Sequence, residues 1–349
     1  MASKEGGRPR DKYDLPARAD RIGPYLDGGI DRFVFDEFSE GYIERNRMHF
    51  MRGIPIPLED AEARSLQSEG SLSIPHLCKN MAWIMGVSPR FPFSPVYAKF
   101  LRACMKDKAA GILIAMGNQA VAEGEMKKAC VHFRAALCVA PRARDALYGY
   151  AIACREIYRK GGEAGYVANF KAEALEYFEL TTEAHPDFPM GHYFLGYAYL
   201  NLGLYRKAYL AWKDYLGISD DDERRKEIEE RASSLSVPMK IEQGCNDILS
   251  GKYQQGISVL EGYLKTKYKD WWPLYYYLGT AYKKVLDWDR AESMFKELLR
   301  RKPSHVEAMQ ELAAIYGMKG KPELYEKYTK KAAAVDSEGR SPSANAPQG

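Results

Sequence analysis

No apolar run in this chain of 349 residues approaches the roughly 18 residues a transmembrane helix requires, and no hydrophobic signal core opens it. Direct membrane insertion is therefore not expected. The cytoplasm is the expected location, with export by a route needing no such signal left open. Cysteine is sparse: six residues, at 78, 104, 130, 138, 154 and 245, with no CxxC pair and no framework spacing. They read as reduced thiols inside helices rather than as disulfides or metal ligands. Charge of one sign is also lacking. The net charge of +4 leaves no strong pull toward nucleic acid or an anionic membrane. Catalytic signatures are missing too: there is no GKS or GKT phosphate loop, no HExxH and no GxSxG, and Gly161, Gly162 and Gly165 neither make GxGxxG nor follow a strand. Cys130 and His132, like His76 and Cys78, sit two apart, which on a helix places them on nearly opposite faces. Neither pair is a local dyad or metal site. No catalytic residue, cofactor or metal ligand is expected.

What is abundant is small and aromatic residues at helical spacing. Trp272 to Pro303 reads as two amphipathic helices back to back, the first bearing Leu278, Gly279 and Tyr282, the second Ala291, Phe295 and Leu298. With Gly279 as origin, the pair has Tyr at +3, Ala at +12, Phe at +16 and Pro at +24. Gly117 repeats the offsets as Ala120, Ala129, Phe133 and Pro141, and Gly196 as Tyr199, Ala208 and Trp212. Ala151 starts a copy that resumes after an insertion at Ala174, Phe178 and Pro186. Gly244 starts a weaker one through Gly251, Gly256 and Leu260, and Ala313 a terminal one through Tyr316 and Gly320. Gly117 to Ala151, Gly244 to Gly279 and Gly279 to Ala313 are each near 34 residues apart.

This period and code resemble the tetratricopeptide repeat over about Ala109 to Val335. The fold class that follows is all-α: a right-handed helical-repeat solenoid of about six helix pairs, at 108–335, behind an irregular, mostly helical N-terminal cap at 26–107. Residues 1–25 are polar and expected as a mobile tail, and 336–349, rich in Ser, Pro, Ala and Gly, as a disordered one. Within the cap, Phe33, Phe35, Phe38, Tyr42 and Phe50 load a segment predicted helical from near Asp36 to about Arg52. Ile54-Pro55-Ile56-Pro57 must be extended, because each proline disfavours helix in the residue before it. A loop through Ser68-Glu69-Gly70 and helices over 73–85 and 95–106 follow. Ten acids balance ten bases between Gly29 and Asp107, which argues against a DNA-reading head. The first helix after Ala151 is expected to reach about Lys160 and its partner to run from Glu163 to Ala184. A charged helix is expected over 221–233, its charges a solvated face or, less simply, a docking patch for a basic partner. The closing helix is expected over 322–335.

In the family this chain resembles, the first helices of successive repeats line a concave groove that binds a peptide or a partner's helix. At the corresponding offsets stand Asn118; Tyr148, Ile152 and Arg155; Tyr193, Phe194, Tyr197 and Asn201; and Tyr276, Tyr277, Lys283 and Lys284. Tyrosine offers apolar area, a polar tip and few rotatable bonds, which suits recognition. The plain alternative is that the rings fill space between helices, the role read for Trp271 and Trp272. Some relatives clamp an acidic C-terminal carboxylate. Only Asn118 matches that clamp, since Ile114, Tyr148 and Gly149 stand where polar or basic side chains are needed, so an aromatic-reading groove is expected. The resemblance implies a non-enzymatic scaffold or adaptor for a protein or peptide partner, with no nucleic acid. Two other readings use the same residues: a peptide-sensing regulator, and an enzyme whose site lies between the N-terminal region and the first repeats.

Overall fold

The structure is a computed structural model that describes residues 11–26, 28–60 and 73–340. Two short strands, β1 (Val34–Asp36) and β2 (Ile56–Leu58), flank α1 (Glu40–Asn46). The cap continues with α2 (Ile74–Val87) and α3 (Ser94–Met105). Helix pairs then follow: α4 (Ala109–Ala122) with α5 (Met126–Val139), α6 (Arg144–Arg159) with α7 (Ala164–Ala184), and α8 (Pro189–Leu200) with α9 (Tyr205–Ile218). After the charged α10 (Asp222–Ser234) come α11 (Ser236–Leu249) with α12 (Tyr253–Glu261), α13 (Trp272–Lys284) with α14 (Trp288–Arg301), and α15 (Val306–Met318) with α16 (Pro322–Arg340). The chain is thus an all-α helical-repeat protein with one small β-ribbon. No helix of the described residues is long and apolar enough to cross a membrane.

The repeat code has a steric cause. A Cβ on Gly117 would lie 2.6 Å from the Phe133 ring, one on Gly196 2.1 Å from Trp212, one on Gly244 2.7 Å from Leu260 and one on Gly279 2.9 Å from Phe295. Each small residue faces the large one sixteen positions on, so the two helices of a pair cross with that side chain seated on bare backbone. The tyrosines at +3 do something the sequence pattern did not reveal. Tyr199 donates to Glu179 Oε1 at 2.6 Å, Tyr316 to Glu292 Oε1 at 2.9 Å, and Tyr282 to Glu261. Each ring is buried while its hydroxyl reaches the second helix of the preceding pair, stapling consecutive repeats. The turn inside five of the six pairs needs a left-handed residue at +7, while the longer α6/α7 connection takes it at Gly161, with φ of 81°. Gly124, Gly203, Gly251 and Gly320 supply it with φ of 78°, 72°, 82° and 66°, and Leu286 with φ of 64°.

Several expectations change. The helix predicted from near Asp36 to Arg52 is only α1, because Ser39 accepts from the Tyr42 amide at its start and Arg47 turns left-handed at its end. Val34–Asp36 is a strand instead, paired antiparallel as Val34↔Leu58, Phe35↔Pro57 and Asp36↔Ile56. The prolines cannot donate, and their carbonyls are taken from outside: Asn80 Nδ2 donates to Pro57 O and Tyr97 Oη to Pro55 O. The loop expected at Ser68-Glu69-Gly70 lies outside the described residues. At the other end α16 runs to Arg340, past the expected stop at Val335, since the next proline is Pro342.

The larger correction concerns the expected N-terminal tail. Residues 11–26 form a strap laid on the second helices α5 and α7, with Tyr13, Leu15, Ile22 and Leu26 buried. Lys12 pairs with Glu183, Arg18 with Glu176, Arg21 with Glu173 and Glu176, Asp11 with Arg142, and Asp20 with Arg134. Tyr25 wedges its ring edge-on to Tyr166 at 5.2 Å, beside Phe170.

Two compact units result: Met1–Gly203 with Leu210–Arg225, and Leu204–Tyr209 with Lys226–Gly349. The division falls inside the repeats rather than at 107/108, because α2 packs on α5 and the strap on α7, which sews the cap to the first repeats.

Candidate functional site

In the first unit, α6 and α8 build one aromatic patch. Tyr148, Ile152 and Arg155 are spaced four and three along α6, and Tyr193, Phe194 and Tyr197 share a face of α8. All six are half-buried, while Asn118 on α4 and Asn201 at the end of α8 are exposed. Phe194 lies 6.1 Å from Tyr148 and 5.0 Å from Tyr193, and Tyr193 lies 5.1 Å from Tyr197. Beneath them a second layer holds the rings in place: Phe178 stacks on Phe194 at 5.8 Å, Phe188 meets Tyr148 at 5.1 Å, Tyr215 meets Tyr193 at 5.5 Å and Trp212 meets Tyr197 at 5.2 Å. Arg155 extends over Phe194 at 4.9 Å while pairing with Glu156. Burial pushes the Tyr148 phenol up to about 12, so it stays neutral and able to donate. Chemically, this is a preorganised ring surface with phenol tips and one guanidinium, and it carries no nucleophile.

The other four expected residues lie in the second unit. The Tyr276 ring sits 5.3 Å from His305 and 6.1 Å from Phe295, and Tyr277 packs on the same core. Lys283 is engaged by Glu311, while Lys284 is exposed. Trp272 meets His305 at 4.8 Å beneath Lys302. Tyr276 and Tyr277 are half-buried, as the rings of the α6/α8 set are.

Sequence reasoning missed a buried polar cluster behind the patch helices. Arg134 is 1% exposed, gives Nη2 to Asp20 Oδ2 at 2.6 Å, and leaves Nε and Nη1 without partners. Tyr150 donates to Glu173 at 2.8 Å. Burial raises the Glu173 carboxyl, opposed by Tyr150, Arg21 and Arg134. One signal was available: Arg134 interrupts the otherwise apolar run from Phe133 to Val139.

The place foreseen for an enzyme's site holds a cleft of about 620 Å³, where Arg32, Lys79, Trp83, Met116, Lys128 and His132 meet. Burial, with Lys128 and Lys79 nearby, pulls the His132 imidazole down to about 4. Its Nδ1 is buried without a partner. Among the described residues no three His, Cys, Asp or Glu gather to hold a metal. Burial pushes the Cys138 and Cys245 thiols up to about 12, leaving them poor nucleophiles. His132 gives the cleft a pH signature. Its folded value lies below the unfolded one of about 6.5, so the unfolded chain takes up the proton first as pH falls. Its contribution is complete above about pH 6.5 and is lost as pH drops toward 4. The expected loss is at most about 3 kcal/mol. Melting temperature against pH, compared between the parent chain and His132→Leu, measures it, and equal slopes would contradict the assignment.

A family model described as tetratricopeptide repeat matches residues 159–223. Among solved structures, the P58(IPK) TPR domain is 19% identical, with 66% of this chain and 61% of that chain covered and a TM-score of 0.39. YrrB, described as a TPR protein with an unusual peptide-binding site, is 15% identical, with 58% and 91% covered and a TM-score of 0.30. MamA 41-end from Desulfovibrio magneticus RS-1 is 18% identical, with 55% and 97% covered and a TM-score of 0.29. Likenesses this distant bear neither on how these repeats assemble nor on what they bind. No curated protein matches the chain. Residues 159–223 thus match a tetratricopeptide repeat, and helix pairs in which a small residue faces a large one sixteen positions on recur on both sides of that match.

Proposed function

We propose that the chain is a non-catalytic, cytoplasmic scaffold that docks an extended peptide or a partner's helix on the α6/α8 aromatic patch. A protein-interaction role is what the repeat family supports. The observation that carries the finer reading is the double ring layer: Tyr148, Tyr193, Phe194 and Tyr197 are half-buried, and Phe178, Phe188, Trp212 and Tyr215 hold them from beneath. A guest's apolar side chains would meet rings already held in place, so little ordering cost falls on the scaffold. Asn118 and Asn201 stand at the exposed margins and Arg155 offers the cationic contact. Tyr276, Tyr277, Lys283 and Lys284 would serve a second contact in the other unit.

The test is selection of displayed random peptides on the immobilised chain. Enriched peptides with aromatic or branched apolar residues are expected, bound at least about tenfold more weakly by Tyr193→Ala/Tyr197→Ala. Helical circular dichroism should be kept. Unchanged affinity in that variant would remove the patch from the function.

A further inference from the structure

Leu286 is out of place by two measures. It occupies the left-handed turn position that glycine fills at 124, 203, 251 and 320, with φ of 64°. It is also 69% exposed. A branched side chain is strained in that region, and an aliphatic one left in water gains no burial. Neither cost is repaid within the fold.

The two other turns of the same unit carry matching features. Leu249 is 70% exposed and Met318 72% exposed. Each of the three turns also holds an exposed lysine, Lys252, Lys284 and Lys321, and none of these has an ion-pair partner among the described residues. In the outer two turns the apolar residue stands at +5 and the lysine at +8. In the middle turn Lys284 stands at +5, and the apolar side chain is displaced onto the left-handed +7 position. The acids beside the middle turn are neutralised, Asp287 by Arg290 and Asp289 by Lys319, each at 2.6 Å. The Lys319 bridge also ties the third turn to the second. Turn geometry does not demand this composition, since the equivalent turn of the first pair sets Glu123 and Glu125 around Gly124.

We propose that this edge of the second unit is a peripheral contact for an anionic lipid surface. The apolar side chains are tips rather than recesses, and the clefts at Trp83 and Val259 are lined by other residues. A protein partner would have to bring a matching hole for each tip. A bilayer accepts them without register, and its anionic headgroups answer the unpaired lysines. Contact of this kind is reversible and depends on local charge rather than on the small net charge, and no helix among the described residues is long and apolar enough to span the bilayer. This inference stands apart from the α6/α8 patch.

Co-sedimentation of the full chain with phosphatidylcholine vesicles, with and without phosphatidylglycerol, tests it. Binding is expected only to the anionic vesicles and is expected to weaken with salt. Leu249→Gln/Leu286→Gln/Met318→Gln is expected to weaken it at least about tenfold. Leu286→Gly is expected to bind less while raising the melting temperature, an opposite pair of effects that a merely unfolded variant cannot produce. No sedimentation with anionic vesicles, undiminished binding by the triple variant, or equal binding to neutral vesicles would each overturn the proposal. So would an acidic protein captured through these residues by a chain that ignores vesicles.

Discussion

Asp20→Ala is expected to destabilise the first unit by about 3–5 kcal/mol, far beyond a typical surface substitution. Asp20 is the only hydrogen-bond partner that the described residues give the guanidinium of Arg134, whose side chain is 1% exposed. Removing it leaves a buried guanidinium with no hydrogen-bonded counterion, and only the charge of Glu173, which Arg21 already pairs, to offset it. Asp20 also accepts from the Gly23 amide through Oδ1 at 2.8 Å. Asp20→Asn keeps that turn while removing the charge, so it separates the two roles and is expected to be nearly as damaging. Combining Asp20→Ala with Arg134→Met is expected to recover most of the loss, because an apolar side chain of similar length needs no counterion. Chemical denaturation followed by helical circular dichroism reads all three. A loss below about 1 kcal/mol in Asp20→Ala would show that the strap is laid on the repeats without supporting them.

Phe133→Ala is expected to cost about 3–5 kcal/mol, the range for an aromatic removed from a closed core. The ring is fully buried and is gripped from two repeats at once: a Cβ on Gly117 would fall 2.6 Å from it, and one on Gly149 2.5 Å. Because bare backbone lies on both sides, no neighbouring side chain can swing in to fill the space. The reverse change should hurt for the same reason. Gly149→Ala drives a methyl into the ring, with an expected cost of about 1–3 kcal/mol. The two substitutions act on one contact, so their combination is expected to cost less than their sum, which a double-mutant cycle in denaturant measures. Additive costs would mean that the ring and the glycine do not share a site.

The strap and the patch belong to the same unit but use different helices. Strap contacts run to α5 and α7, while the rings that face outward sit on α6 and α8. The Asp20 and Arg134 variants therefore probe the support of the unit, and the Tyr193 and Tyr197 variants the proposed recognition surface.

What could be read from the sequence depended on how far apart the interacting residues lie. The long helix after the insertion was expected from Glu163 to Ala184 and spans Ala164–Ala184; the charged helix expected over 221–233 spans Asp222–Ser234. In both, the start signals and the apolar spacing are local. The offset of sixteen from Gly279 to Phe295 was legible because a helix, a turn and a helix have nearly constant length. The strap was not legible. Tyr13, Leu15, Ile22 and Leu26 are too few to form a core of their own, and they are buried only because α5 and α7, more than a hundred residues away, offer the opposite charges and the apolar floor. For the same reason, spacing could place Tyr148, Tyr193 and Tyr276 on the first helices of their repeats but could not tell that the first two meet other rings of α6–α9 in one unit while the third packs on His305 in the other.

The sequence by itself determined the helix pairs, their small-against-large contacts and their kind, because each depends on periodicity within about thirty residues and on the volume of one side chain. Tertiary structure alone decided that residues 11–26 are a strap, that Arg134 is a buried charge paired with Asp20, that the +3 tyrosines staple one repeat to the next, and which rings meet which. Those outcomes depend on charges and surfaces meeting across long stretches of chain, and local patterning carries no record of such meetings.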